Sequence, residues 1–271
     1  SGVATFGSGN NAAITLDDAS NNFGTVTVNT QGNAVTLNDV DTIELGQITA
    51  ASLTVTAAAD ITQTANLVIG GNANFATATD VTLTGANQFG TVSVSANNVN
   101  LTESGDAELA AVVVAGDLTL TTSGDITDSG IVSVAGITRL NSGNGAAITL
   151  DNAGNDFSTV IVTSTADAIT LNDSNTLDLG ALNAASLNVT TAGAITDSGT
   201  LLVSGVTTLN SGNNAAITLD DAANNFATVT VASNGDSVLL NDVDGITLGQ
   251  IAAADLSVNA AGEISQSGNL T

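Results

Sequence analysis

The sequence has no cysteine, histidine, lysine, methionine, proline, tryptophan or tyrosine, and Arg139 is its one basic side chain. The lack of cysteine removes disulfides, thiolate nucleophiles and most zinc sites together. Without histidine or lysine the usual general bases, Schiff bases and triads are gone, so an enzyme would have to work with carboxylates alone. Against Arg139 stand 26 acidic residues, a formal net charge of −25 over 271 residues. Such a chain cannot neutralise phosphates, which excludes nucleic acid and anionic membrane surfaces as partners. The longest apolar run, residues 109–116, falls far short of the roughly 18 residues of a membrane span, so no membrane insertion is expected. No charged stretch followed by an apolar one opens the chain as a secretion signal would. Phenylalanine is the only aromatic residue, with six copies, too few to fill an ordinary globular core.

What is present is apolar and repetitive. Apolar residues make up 43% of the chain, too many for an acidic disordered segment. The string Ala-Ala-Ile-Thr-Leu-Asp occurs at 12–17, 146–151 and 215–220, with a diverged Asp-Val-Thr-Leu-Thr at 80–84. With Ile14, Val81, Ile148 and Ile217 as origins, the successive steps are 67, 67 and 69. Phe23, Phe89, Phe157 and Phe226 keep the same beat, as do Ile61, Ile126, Ile195 and Ile264. A fixed period of this kind marks a repeat architecture. Four copies result, at about 1–70, 71–136, 137–205 and 206–271, the last one truncated. They read as one continuous segment, 1–271, that begins and ends inside a repeat. The expectation is an excerpt of a longer protein or a mature subunit.

Within a copy the small unit is apolar-x-apolar, as in Ile14-Thr15-Leu16, Val35-Thr36-Leu37 and Leu53-Thr54-Val55. Period-two alternation places the outer residues on one face of a short strand and the middle one on the other. The spacers are rich in Asn, Asp, Gly and Ser, which form turns. A propeller blade or a sandwich would call for larger aromatics. A parallel β-helix instead stacks small aliphatic residues in ladders down a narrow interior. The fold expected is therefore all-β, a right-handed parallel β-helix or β-solenoid. Three coils per repeat would give about twelve coils of about 22 to 23 residues. Three coils of three faces need nine strand segments per repeat, whereas the first copy displays seven.

The runs Ala-Ile-Thr-Leu-Asp-Asn-Ala-Gly-Asn-Asp-Phe at 147–157, Ala-Ile-Thr-Leu-Asn-Asp at 168–173 and Ala-Ile-Thr-Asp-Ser-Gly at 194–199 resemble the repeats of large bacterial exoproteins of the filamentous haemagglutinin type. The resemblance covers essentially the whole chain. It implies a right-handed parallel β-helix shaft, exported by a two-partner route and used in adhesion or surface structure. The secretion domain of that family carries an Asn-Pro motif, which a chain without proline lacks.

The carboxylates cluster after strands, at Asp17 and Asp18, Asp173 and Asp178, Asp220 and Asp221, and Asp242 and Asp244. Asp39, Asp41 and Glu44 are the candidate calcium ligands, because their spacing offers three oxygens at one turn and backbone carbonyls could complete a shell. The other reading is a set of solvated corner carboxylates, since neither the EF-hand loop nor the Gly-Gly-x-Gly-x-Asp nonapeptide occurs. Glycoside hydrolysis by a carboxylate pair would need sugar-stacking aromatics and pKa-tuning neighbours, and these are missing. Thr15, Thr82, Thr149 and Thr218 form a complete threonine column on the repeat period, but the columns beside it vary, so a flat ice-binding array is not indicated. Asn21, Asn87, Asn155 and Asn224 each precede a repeat phenylalanine by two residues and read as structural turn and ladder positions.

The expected function is that of a non-enzymatic structural shaft in a bacterial adhesin or cell-surface fibre, with no required cofactor and calcium as an optional ion. Its partners would be adjoining coils or further copies of itself, and an unknown host or cell-surface receptor, all outside the cell. The alternative is an extracellular filament subunit that stacks end to end through open β-edges, assisted by calcium.

Overall fold

The computed structural model describes residues 2–9, 12–30, 32–212, 214–232 and 236–271. Among these residues the chain forms 27 strands, from Val3–Gly7 to Ile264–Gln266, and no helix. It divides into two compact units, residues 1–136 and 137–271, with the boundary inside the strand Val132–Asn141. Each unit is a parallel β-solenoid, and the chain makes about 14 turns in all.

In the first unit, three columns of paired residues define three faces. One runs Ile14, Val35, Leu53, Ala73, Val92. A second runs Ile43, Ile61, Val81, Val99, Leu118. The third runs Val28, Ile48, Leu67. One turn carries the chain from Ile43 to Ile61, and a longer one from Val3 to Thr25. Most turns are therefore shorter than the sequence leads one to expect, and their number exceeds twelve.

The columns also correct the relation between repeat and turn. Val81 is the repeat equivalent of Ile14, yet Ile14 stands on the first face and Val81 on the second. Between them the chain passes through Val26, Val28, Val35, Ile43, Ile48, Leu53, Ile61, Leu67 and Ala73, so that Val81 begins the tenth segment after Ile14. A repeat thus spans three turns and one further face. The second unit repeats the pattern. Ile148 heads a column through Ile169, Leu187, Thr207 and Val229, whereas its equivalent Ile217 lies in the column Leu177, Ile195, Ile217, Val238, Leu256. Within each unit, then, the second copy starts one face further round than the first.

Alternation sets the core. Val35, Leu37, Leu53, Val55, Ile148, Leu150, Ile217 and Leu219 are buried, while Thr15 is exposed and Thr149 and Thr218 are half-buried. Ile14 and Leu16 are half-buried, and among the described residues their strand pairs only with 35–37. Where strands round a corner, close contact dictates glycine. A Cβ on Gly130 would lie 1.3 Å from the Ala110 carbonyl oxygen, and one on Gly212 would lie 1.8 Å from that of Ala192.

Replacement of fully buried Leu83 by alanine should cost about 2–5 kcal/mol, against about 0.5 kcal/mol or less for its exposed neighbour Thr82. Local amide-exchange protection of residues 81–101 checks this. Equal effects would place Leu83 outside the core.

Candidate functional site

A strand ladder satisfies backbone groups only while the chain runs straight. At each corner the chain turns away, and N–H groups must find other acceptors. The residues that recur in the four copies supply them.

In the first copy, Asp39 accepts the Phe23 N–H at 2.6 Å with one oxygen and the Asp41 N–H at 3.0 Å with the other. Asp173 does the same for Phe157 and Asn175, at 2.6 and 2.8 Å. Asp242 serves Phe226 and Asp244, at 2.7 and 3.0 Å. All three carboxylates are buried. In the second copy the position is taken by Glu103, which accepts the Phe89 N–H at 3.2 Å. The residue after each acid donates its N–H back to the carbonyl of the repeat asparagine: Val40 to Asn21, Ser104 to Asn87, Ser174 to Asn155 and Val243 to Asn224. Each corner is thus clasped from both sides, and the phenylalanine between the two bonds turns inward. Phe157 and Phe226 are fully buried, Phe89 is buried with its ring 5.9 Å from Phe75, and Phe23 is half-buried with its ring 6.0 Å from Phe6. The repeat phenylalanines do not share one column, because the copies within a unit start on different faces. Phe226 pairs with Val203, and Phe89 with Ile69.

The asparagine side chains act as internal braces. Asn21 and Asn87 each donate at 3.2 Å to a carbonyl a few residues back in the chain, Leu16 and Leu83. Asn87 and Asn224 also accept the N–H groups of Leu67 and Leu201, at 2.9 and 2.8 Å. A further pair bridges the turns at the surface with its members exchanged between copies. Asn22 donates to Asp41 and Asn225 to Asp244, whereas in the third copy the carboxylate is Asp156 and the amide is Asn175. One amide and one carboxylate satisfy the contact from either side.

Burial raises the carboxyls of Asp39, Asp173 and Asp197. It pushes the Asp39 carboxyl above its ordinary value, the N–H bonds from Asp41 and Phe23 pull it back, and the adjacent Asp41 carboxylate adds to the rise. Asp173 is raised for the same first reason, with the Phe157 and Asn175 bonds opposing. Asp197 is raised by burial, against bonds from Asn224, Asp220 and Asp221.

Of the candidate calcium ligands, Asp39 and Asp41 lie side by side, but Asp39 is turned into the corner and Asp41 holds Asn22. Glu44 points along the second face, accepting the Thr25 hydroxyl at 2.5 Å. Among the described residues, no three or more Asp or Glu side chains gather as a metal-ligand group. Two surface recesses occupy equivalent places in the first unit. One of about 540 Å³ lies between Asn22–Thr25 and Asp41–Glu44, and one of about 520 Å³ between Gln88–Gly90 and Ser104–Glu108, with Asp125 and Thr127 of the next turn. Both are acidic.

Another device is absent from the sequence expectations. Asp60 accepts the N–H of Asp80, Asp80 that of Asn98, and Asn98 that of Asp117, turn upon turn. Its signal is legible in the chain, since each of these residues directly precedes an apolar residue of the second face: Ile61, Val81, Val99 and Leu118. The long repeat period obscures it because that period steps to another face.

Loss of Asn224 as alanine should cost about 1–3 kcal/mol by orphaning the buried Leu201 N–H. Asn224→Asp keeps the acceptor but sets a second carboxylate against Asp197, whose oxygen now receives the Asn224 amide at 2.6 Å. That variant should be destabilised at neutral pH and recover as the pH falls and one of the two acids protonates. Thermal unfolding across pH 4 to 8 checks both, and a pH-independent Asn224→Asp defect would contradict the assignment.

No curated protein and no solved structure matches this chain. The repeat itself does find a match, over residues 32–95, 96–164, 166–233 and 235–271, and the chain therefore belongs to the family described as repeats of unknown function (DUF5649).

Proposed function

We propose that this chain is a shaft segment of a secreted bacterial adhesin or cell-surface fibre, structural and non-catalytic. The observation that carries the reading is the repetition of one corner in four copies. A reactive site is built once, whereas here the same Asn, Phe and carboxylate recur, with the acids bonded to the chain's own N–H groups. A solenoid of this kind gains length by adding turns, each stabilised mainly by its neighbours. The net charge of −25 favours separation of parallel shafts by like-charge repulsion, and salt or divalent cations such as calcium would screen it. No cofactor is required for that role. The resemblance of residues 147–157, 168–173 and 194–199 to exoproteins of the filamentous haemagglutinin type supports export and display at the cell surface. There the chain would adjoin further coils of the same fibre and carry a receptor-binding part away from the cell.

Antibodies raised against residues 1–271 should label intact cells of the producing organism, with immunogold particles set off from the outer surface, and protease treatment of whole cells should remove the label. Antigen accessible only after lysis would overturn the proposal.

A further inference from the structure

The second copy departs from the other three at one corner. Its acid follows the phenylalanine by 14 residues, against 16 in the others. The shorter connection is matched by a longer side chain, Glu103 in place of aspartate, and by a shift in strand register between Leu101 and Glu103. The compensation is incomplete. Glu103 is 3% exposed, one oxygen holds the Phe89 N–H, and the other, Oε1, is buried with no hydrogen-bond partner. At the three aspartate corners that second oxygen accepts the N–H two residues on.

Among the described residues, nothing around the corner offers a countercharge. From the preceding turn Glu103 meets Asn87, whose amide donates to Gln63, Leu83 and Thr102. On the following turn Thr121 pairs with Thr102, and the next residue, Thr122, donates its hydroxyl to the Gly124 carbonyl. The charged groups nearby are Asp106, Glu108 and Asp125, all acidic, lining the recess outside Phe89 and Ser104. Burial, opposed only by the Phe89 N–H, pushes the Glu103 carboxyl up to about 7.

We propose that the Glu103 corner is a pH-sensitive weak point, closed when Glu103 is neutral and prone to local opening between Phe89 and Ser104 when it is charged. The sign is set by linkage. A carboxyl whose folded-state value is raised binds more protons folded than open, so its contribution is fully present below the ordinary glutamate range and is lost as pH rises towards 7 and beyond. At the other three corners both carboxylate oxygens accept N–H groups, which stabilises the charged form there. The first opening of the first unit is thereby placed at one turn, beside the acidic recess.

Amide exchange on the full chain, corrected for intrinsic rates, tests this at Phe89 and Ser104. Protection there should fall about 30-fold between pH 5.5 and 8, while Phe157, Ser174, Phe226 and Val243, at corners whose acid has both oxygens bonded, should fall by less. Glu103→Gln should flatten the profile. Should that variant misfold, Glu103→Asp, which titrates lower, should move the fall to lower pH. A flat profile in the unaltered protein, or the same fall in a folded Glu103→Gln, would overturn the proposal. So would an unshifted fall in Glu103→Asp.

Discussion

The structure depends on how a chain that turns a corner every few residues keeps its backbone N–H groups bonded. Along the faces, parallel pairing does this without help from side chains. At the corners the ladder is interrupted, and an unpaired buried amide costs about 1–3 kcal/mol, so side-chain oxygens of the next turn stand in for the missing carbonyls. Carboxylates suit the task because each has two oxygens and its bonds to N–H are charge-assisted. Asp39, Asp173 and Asp242 use both. A chain with 26 acids and a single arginine is thus intelligible: at these corners the partner of a carboxylate is the backbone.

The same constraint accounts for the residues between the acids. A corner clasped by an acid on one side and an asparagine carbonyl on the other points the intervening phenylalanine towards the core. The surface pair that bridges the turns beside the clasp keeps one acid and one amide, whichever way round, as Asn22 with Asp41 and Asp156 with Asn175 show. The corners are interchangeable parts. In the second copy one part is shortened, and the effect is visible: the clasp survives at Phe89, but one buried oxygen loses its donor.

Much of this was legible in the sequence. The strands, their inward and outward faces, the stacking of small aliphatics and the importance of the Asn-x-Phe positions can be read from period-two alternation and the long repeat beat. Ile148-Thr149-Leu150 is a strand because its outer residues are apolar and its neighbours form turns, and its burial agrees. The turn length was not legible in the same way. Strands such as Val81–Ala96 run through two corners without leaving extended geometry, so one strand covers more than one face, and a count of segments from the sequence falls short. The regular spacing of Ile43, Ile61, Val81, Val99 and Leu118 is the shorter period beneath the longer one.

The sequence by itself determined the fold class, the core residues and the exclusion of thiol, imidazole and amine chemistry, because alternation and composition are local properties of the chain. Only the tertiary structure decided which residues stack. Neighbours in a column lie about one turn apart, and the repeat is not a whole number of turns, so a copy's equivalent residue stands on another face. For the same reason Asp39, Asp41 and Glu44, neighbours in sequence, have separate partners. The isolation of Glu103 likewise depends on what the turns before and after it present, and that is settled by register.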